Sequence, residues 1–361
     1  MGDNDESTQM KKEYGHYTFR KVVFISVSII LVFILFWVSL CVGTRSLSID
    51  QVYSLFWDHV NGIVYPTNSQ EWFDDRIVWE YRVPRALFAI IAGVSLAVAG
   101  SVMQSVMKNP LADPYTTGVS SGALFGVAVA IVLGLAVGSG GIEGMGVVIN
   151  AMIFAMVPVA VIVLMAPFFK KSPASLILAG VAVSYLFNSL TSLLLITTDA
   201  ATLHMVYIWQ IGSLADLTWD AIPLTFLITL AGLLIVLPLA NKLNLMSLDD
   251  KTAKSMGLDV ENLRILCLCI LSLMATVVIS YVGVIGFVGL VVPHIVRLIL
   301  GSDNKYTLPA TAAFGALFLL GCDIISRAID VSAAIPVGVV TSFVGAPIFL
   351  YLIIRQKRTM W

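Results

Sequence analysis

Cys267 and Cys269 stand one residue apart, and among residue types able to do chemistry they are the pair that first suggests a thiolate metal site or a redox couple. On a helix, however, residues at i and i+2 point to different faces. All four cysteines, with Cys41 and Cys322, fall in or at the ends of apolar runs. A thiol there acts as a small hydrophobe, so packing is its reading and neither a disulfide framework nor a zinc site fits. The four histidines offer no alternative. His16 and His59 lie in polar segments, His204 precedes an aromatic stretch, His294 follows Pro293, and no two have metal-ligand spacing. A phosphate loop of the form G-x-x-x-x-G-K-[ST] is absent, so any ATP is bound and hydrolysed by a partner. No nucleophile is paired with a base, which argues against an intramembrane enzyme. The sequence assigns this chain no catalytic residue, no metal ligand and no cofactor of its own.

What the elements must build is instead a route through lipid. Of 361 residues, 58% are hydrophobic and 12% charged, about half the charged share of soluble domains. Asp, Glu, Lys and Arg are all missing from 22–44, 86–107, 114–142, 144–169, 172–198, 221–241, 265–296, 306–322 and 331–354. A span needs about 20 apolar residues. Eight windows suit one helix each, with 306–322 at the short limit. The window 265–296, interrupted by Gly283, Gly286 and Pro293, reads as two. The runs are unbroken rather than alternating, which selects helices over a closed barrel. The first run lacks a small-residue cleavage site and reads as a retained span, not a removable signal. The expected fold is an all-α integral membrane protein of ten transmembrane helices. Residues 22–354 form a single ten-helix domain between tails 1–21 and 355–361, with an extracytoplasmic loop at 46–81 and a cytoplasmic loop at 242–264.

Lys and Arg favour the cytoplasmic side. With both termini inside the cytoplasmic membrane, sixteen of the basic residues are cytoplasmic and five, Arg45, Arg76, Arg82, Arg85 and Arg327, are outside. The opposite orientation inverts that ratio. On an outer surface carrying twelve acidic residues, the plain reading of Arg82, Arg85 and Arg327 is that each snorkels from a helix end toward the headgroups. The span interiors hold no acidic residue, whereas gradient-driven transporters usually carry a carboxylate at membrane depth for the coupling ion. This counts against a secondary transporter. The net charge of −1 says little about partners, and nucleic acid is not among those expected.

Two segments suggest moving parts. Lys108-Asn109-Pro110-Leu111-Ala112-Asp113-Pro114, followed by Gly118-Val119-Ser120-Ser121-Gly122-Ala123, combines helix-disfavouring prolines with small residues that let helices approach closely. It reads either as irregular backbone of a gated pathway or as an ordinary turn plus a tight helix interface. The 242–264 loop reads as two short helices. Ser247 caps the first, Asp250 and Lys254 form an i,i+4 pair, and Gly257 stops it. Leu248, Ala253 and Met256 share one side, giving either a docking element for a soluble partner or a solvated loop.

The residues then carry a resemblance. Arg82-Val-Pro-Arg85 with Ala92-Gly93 and Gly100, Gln104 with Asn109 to Pro114 and Gly118 to Ala123, and Trp209 with Gly212-Ser213-Leu214 resemble successive motifs of the FecCD-type permeases. Gly286-Phe287-Val288-Gly289-Leu290-Val291-Val292-Pro293-His294-Ile295-Val296-Arg297, and Ile335 to Thr341 with Gly345-Ala346-Pro347, continue the match. It runs in order from about residue 20 to 355. These permeases are the membrane subunits of ABC importers for iron-siderophores, haem, cobalamin and molybdate, of which iron-siderophore is the commonest cargo.

The resemblance implies a BtuC-like permease fold and a homodimer of two such subunits with the pathway between them. It also implies two ATPase subunits that hold ATP and magnesium, and an extracytoplasmic binding protein. It makes Leu248, Asp249, Asp250, Ala253, Met256 and Gly257 the element that couples to the ATPase, although a Gly is usual where Asp249 stands and an acidic or small polar residue where Lys251 stands. Asn109, Pro110 and the turn Ser172-Pro173-Ala174-Ser175, which follows Lys171, are expected along the pathway and its cytoplasmic gate. That turn also reads as a plain connection. Arg82, Arg85 and Arg327 are expected to receive glutamates of the binding protein, since a guanidinium holds a carboxylate through two parallel hydrogen bonds.

Overall fold

The apolar runs fold as helices in a computed structural model that describes residues 2–137, 144–169, 172–329 and 335–357. Lys170, Lys171 and Arg358, counted above as cytoplasmic, lie outside the described residues, as does residue 143. The α-helices in chain order are α1 (Gly2–Cys41), α2 (Ile49–Val60), α3 (Gln70–Arg76), α4 (Val83–Met107), α5 (Val119–Val132), α6 (Met145–Met165), α7 (Pro173–Leu195) and α8 (Ala200–Ile211). They continue as α9 (Ala221–Val236), α10 (Ala240–Met246), α11 (Asp250–Ser255), α12 (Val260–Val282), α13 (Val288–Leu300), α14 (Asn304–Ile329) and α15 (Val337–Lys357). Among the described residues seven helices are long and apolar enough to cross a membrane, and α5, α13 and the Val337–Leu352 part of α15 are shorter apolar helices.

Burial separates the centre from the rim. The most apolar stretch of the helix ending in α4 is 78% buried and that of α12 is 67% buried, whereas that of α1 is 11% buried. Lipid is as apolar as a leucine side chain, so an exposed helix loses nothing by facing it. Close helix contact must come from small residues and van der Waals packing. Along α4, Gly93 meets the backbone of Gly315 in α14, and Gly100 meets the backbone of Gly289 in α13. A Cβ at either glycine has no room. Gly100→Ala is expected to force these helices apart and destabilise the protein by about 1–3 kcal/mol, the usual cost of overpacking. A thermal midpoint in nanodiscs indistinguishable from the parent's would refute the close crossing.

Two spans are longer than their charge-free windows. The 306–322 window belongs to a helix running to Ile329 because Asp323 and Arg327, which end the window, are buried and paired within the protein. The 46–81 loop is largely helical. A π-helical stretch at Ile77–Arg82 joins α3 to α4, so that Gln70–Met107 is continuous helix. The 265–296 window divides as expected, α12 ending at Val282 and α13 beginning at Val288, with Phe287 held at φ 68 in the left-handed region.

In the 242–264 loop the local assignments differ from expectation. Asp249, not Ser247, caps α11, its side chain accepting from the Lys251 amide. Lys254 pairs with Glu261 at 2.7 Å rather than with Asp250. Gly257, at φ 83, follows the helix end as expected. Leu248, Ala253 and Met256 do not share one side: Ala253 is fully buried, while Leu248 and Met256 are exposed.

Candidate functional site

Three polar arrangements occupy successive depths along α4. At its N-terminal end lie Arg82, Arg85 and Arg327, of which Arg85 and Arg327 pair with the fully buried carboxylate of Asp323. Arg85 reaches Asp323 Oδ1 through Nε at 2.8 Å, and Arg327 Nη2 lies 2.8 Å from Oδ2. The remaining donors hold the end of α1. Arg82 Nη1 donates to the Leu40 carbonyl at 2.7 Å and Nη2 to that of Arg45. Arg327 Nη1 donates to the carbonyls of Ser39 at 2.9 Å and Val42 at 2.8 Å. A helix C-terminus leaves four carbonyls without intrahelical partners and carries partial negative charge, and guanidinium satisfies both. Arg82 and Arg327 therefore turn inward and do not snorkel. Of the three, Arg85 is the most accessible. Sequence reading missed Asp323 as the partner of Arg85 and Arg327, although a lone acid closing an apolar window was the signal.

At mid-depth the backbone is irregular in several places that meet. Asp113 Oδ1 accepts from the Tyr115 amide, and Tyr115 Oη donates to the Ile285 carbonyl at 2.9 Å, tying the segment after Pro110 to the break between α12 and α13. The Ser213 amide donates to Val282 and the Gly338 amide to Gly212, adding the ends of α8 and α15. Non-helical backbone at membrane depth persists only where it is buried or lines a cavity. Beside these bonds lies an open apolar cavity of about 700 Å³, lined by Ile211, Val284, Gly286, Val339, Phe343 and Pro347 among others.

The C-terminal end of α4 carries a clamp. Lys108, in the left-handed region at φ 50, ends the helix, and its Nζ donates at 2.5 Å to both the Leu248 carbonyl and Asp250 Oδ1. Arg264 of α12, 1% exposed, donates through Nη2 to Asp250 Oδ2 at 3.1 Å and through Nε to the Val106 carbonyl at 3.2 Å. Asp250 thus ties α11 to both α4 and α12. Burial raises its pKa, but the hydrogen bonds and charges of Lys108 and Arg264 outweigh that and hold it below the ordinary carboxylate range. The sign follows: the clamp is complete above that range and is lost as pH falls through the lowered value. Lys108 and Arg264 were not expected in this role, because Lys108 is distant in sequence from the loop it holds and Arg264 stands 14 residues from Asp250, beyond the reach of helical spacing.

The expected pathway residues separate. Asn109 and Pro110 line a second cavity of about 600 Å³ at the inner end, with Gln104, Ser105, His294 and Arg297. Ser172, Pro173, Ala174 and Ser175 sit at the start of α7, partly exposed, and line neither cavity described here. No group of three or more His, Cys, Asp or Glu among the described residues could hold a metal ion.

Comparison with known proteins is consistent in kind. The model of the FecCD transport family matches residues 30–355. A protein of Methanocaldococcus jannaschii assigned as an ABC transporter permease is 36% identical, over 96% of this chain and 98% of its own length. The vitamin B12 import system permease of Vibrio cholerae is 34% identical over 81% of this chain and 86% of its own. A solved inward-facing structure assigned to the metal-chelate type of ABC transporter superposes with a TM-score of 0.79 at 31% identity, covering 92% of this chain and 98% of that one.

Proposed function

The chain belongs to the FecCD transport family, permease subunits of ABC transporters and multi-pass proteins of the cytoplasmic membrane rather than enzymes, and from that premise we propose that it imports a metal chelate of the iron(III)-siderophore kind. The observation that carries the cargo class is the mid-depth cavity, large and almost wholly apolar, which lets a bulky chelate pass without strong binding. In this reading ten helices span the membrane: the seven long ones and the three short apolar ones, with both termini cytoplasmic. Two copies pair so that the apolar cavities of each face a common pathway. Two ATPase subunits, which hold ATP and magnesium, dock on the exposed Leu248 and Met256, while Asp249, Asp250, Ala253 and Gly257 shape the element beneath. An extracytoplasmic binding protein docks at the outer cluster, where Arg85 is the contact and Arg82 and Arg327 form its frame. Cobalamin is the second reading, favoured by the similarity to the vitamin B12 permease.

The test is uptake into proteoliposomes holding the permease, its ATPase and its binding protein. Uptake of a ferric siderophore that requires ATP and stops when the ATPase is omitted is the expected result. Preferential uptake of cobalamin would move the cargo assignment within the family. Uptake that follows a proton or sodium gradient and ignores ATP would overturn the reading.

A further inference from the structure

The inner cavity holds a charge that no carboxylate among the described residues neutralises. Arg297 of α13 makes hydrogen bonds to Gln104 Oε1 at 2.8 Å, the Ser101 carbonyl at 2.6 Å, Ser105 Oγ at 3.0 Å and Ser101 Oγ at 3.4 Å. Every one of these acceptors is uncharged. Among the described residues no carboxylate lies within ion-pairing distance of it. Arg45, Arg76, Arg85, Arg264 and Arg327 each have one, and Arg82, which also lacks one, is held by the carbonyls of Leu40 and Arg45. Neutral acceptors satisfy the donors of a guanidinium but leave its charge in place, and a partly buried charge without a counter-ion is costly.

The surroundings are polar and add no acidic group. Lys108 and His294 line the same cavity, with the polar groups of Gln104, Ser105, Asn109, Ser302 and Asn304, and no Asp or Glu is among its lining residues. Lys108 is already paired with Asp250, so Arg297 is the cation left to serve the cavity. The volume, about 600 Å³, is far more than a bare ion fills and admits an ion together with the group that carries it.

We propose that this cavity is a binding site for an oxyanion, a phosphate or carboxylate group, which supplies the missing counter-charge to Arg297. A planar guanidinium flanked by hydroxyl and amide groups matches the oxygens of such a group in both charge and geometry. Near the inner surface that chemistry comes from two sources, the headgroup of an anionic phospholipid or a soluble anion. The site is independent of the cargo assigned above.

The experiment measures thermal stability of the full-length permease in nanodiscs of phosphatidylcholine, first with inorganic phosphate at constant ionic strength against chloride, then with phosphatidylglycerol mixed into the bilayer. A rise in midpoint with inorganic phosphate identifies the soluble ion as sufficient, and a rise only with phosphatidylglycerol identifies the headgroup. Two variants assign the response. Arg297→Gln is expected to weaken the half-saturating concentration by about tenfold or more, the scale of a lost charge-assisted contact. Ser105→Asp places a carboxylate beside the guanidinium, so it is expected to raise the midpoint in pure phosphatidylcholine and to abolish the response to added anion. Should one variant fail to assemble, the other decides. No response of the parent to either anion, or an undiminished response in a folded variant, overturns the proposal.

Discussion

Asp323→Asn is expected to destabilise the permease by about 3–5 kcal/mol, the scale on which one partner of a buried ion pair is lost. The substitution keeps the volume of the side chain and removes only its charge. Asp323 is fully buried and holds Arg85 and Arg327 at 2.8 Å. Without it two guanidinium groups are left side by side at the outer end of α4 and α14. The damage then spreads by a traceable path. Arg327 also holds the carbonyls of Ser39 and Val42, so the C-terminus of α1 loses its anchor when that side chain shifts. Since α1 is the least buried of the long helices, it has little packing to keep it in place. Thermal unfolding in nanodiscs, followed by intrinsic fluorescence, reads the effect. A midpoint within roughly 2 °C of the parent's would mean the carboxylate contributes little.

The second large effect is functional. Asp250→Lys is expected to lower transport per ATP hydrolysed by about tenfold, inside the usual range of coupling free energies, while the assembled complex still hydrolyses ATP. The carboxylate joins α11 to Lys108 at the end of α4 and to Arg264 in α12. Reversing its charge sets three cations together and releases α11 from the helices it must move. Asp250→Glu keeps the charge and is expected to retain most of the coupling, which separates loss of the clamp from general damage. Equal transport per ATP in the parent and Asp250→Lys, measured in one proteoliposome preparation, would remove the clamp from the mechanism. Ala253 is a poorer probe of the same idea, because it is fully buried and its replacement disturbs packing first.

The helical, membrane-crossing character of the chain was legible because hydrocarbon excludes charge, so each charge-free run marks apolar helix. The same rule hid the true length of α14. A charge ends a window whether it meets water or a buried partner, and Asp323 meets Arg85 and Arg327. The three arginines were legible as a group through the resemblance, but not their orientation, since the carbonyls that Arg82 and Arg327 hold lie at the end of α1 and just beyond it, distant in sequence. The 242–264 loop shows the same limit. Its stop at Gly257 follows from local backbone preference and was read correctly. Its ion pairs were misread because Asp250 answers to Lys108, across the fold, and to Arg264, beyond the intervening turn, and not to Lys254 one turn along. Asn109 and Pro110 were identified without the cavity they line, since a cavity is a property of elements meeting and has no signature in any one of them.

The unbroken helix from Gln70 to Met107 has a further meaning. At 1.5 Å per residue its 38 residues reach about 57 Å, nearly twice the roughly 30 Å of hydrocarbon. A helix of that length outruns the hydrocarbon, with Arg82 closing its π-helical stretch, Arg85 just after it and Lys108 immediately beyond its other tip. Thermodynamic reciprocity then applies to its two ends: by whatever factor nucleotide binding below changes affinity for a protein above, that protein changes affinity for nucleotide by the same factor. A helix of this reach makes the two faces of the membrane a single system to be titrated from either side.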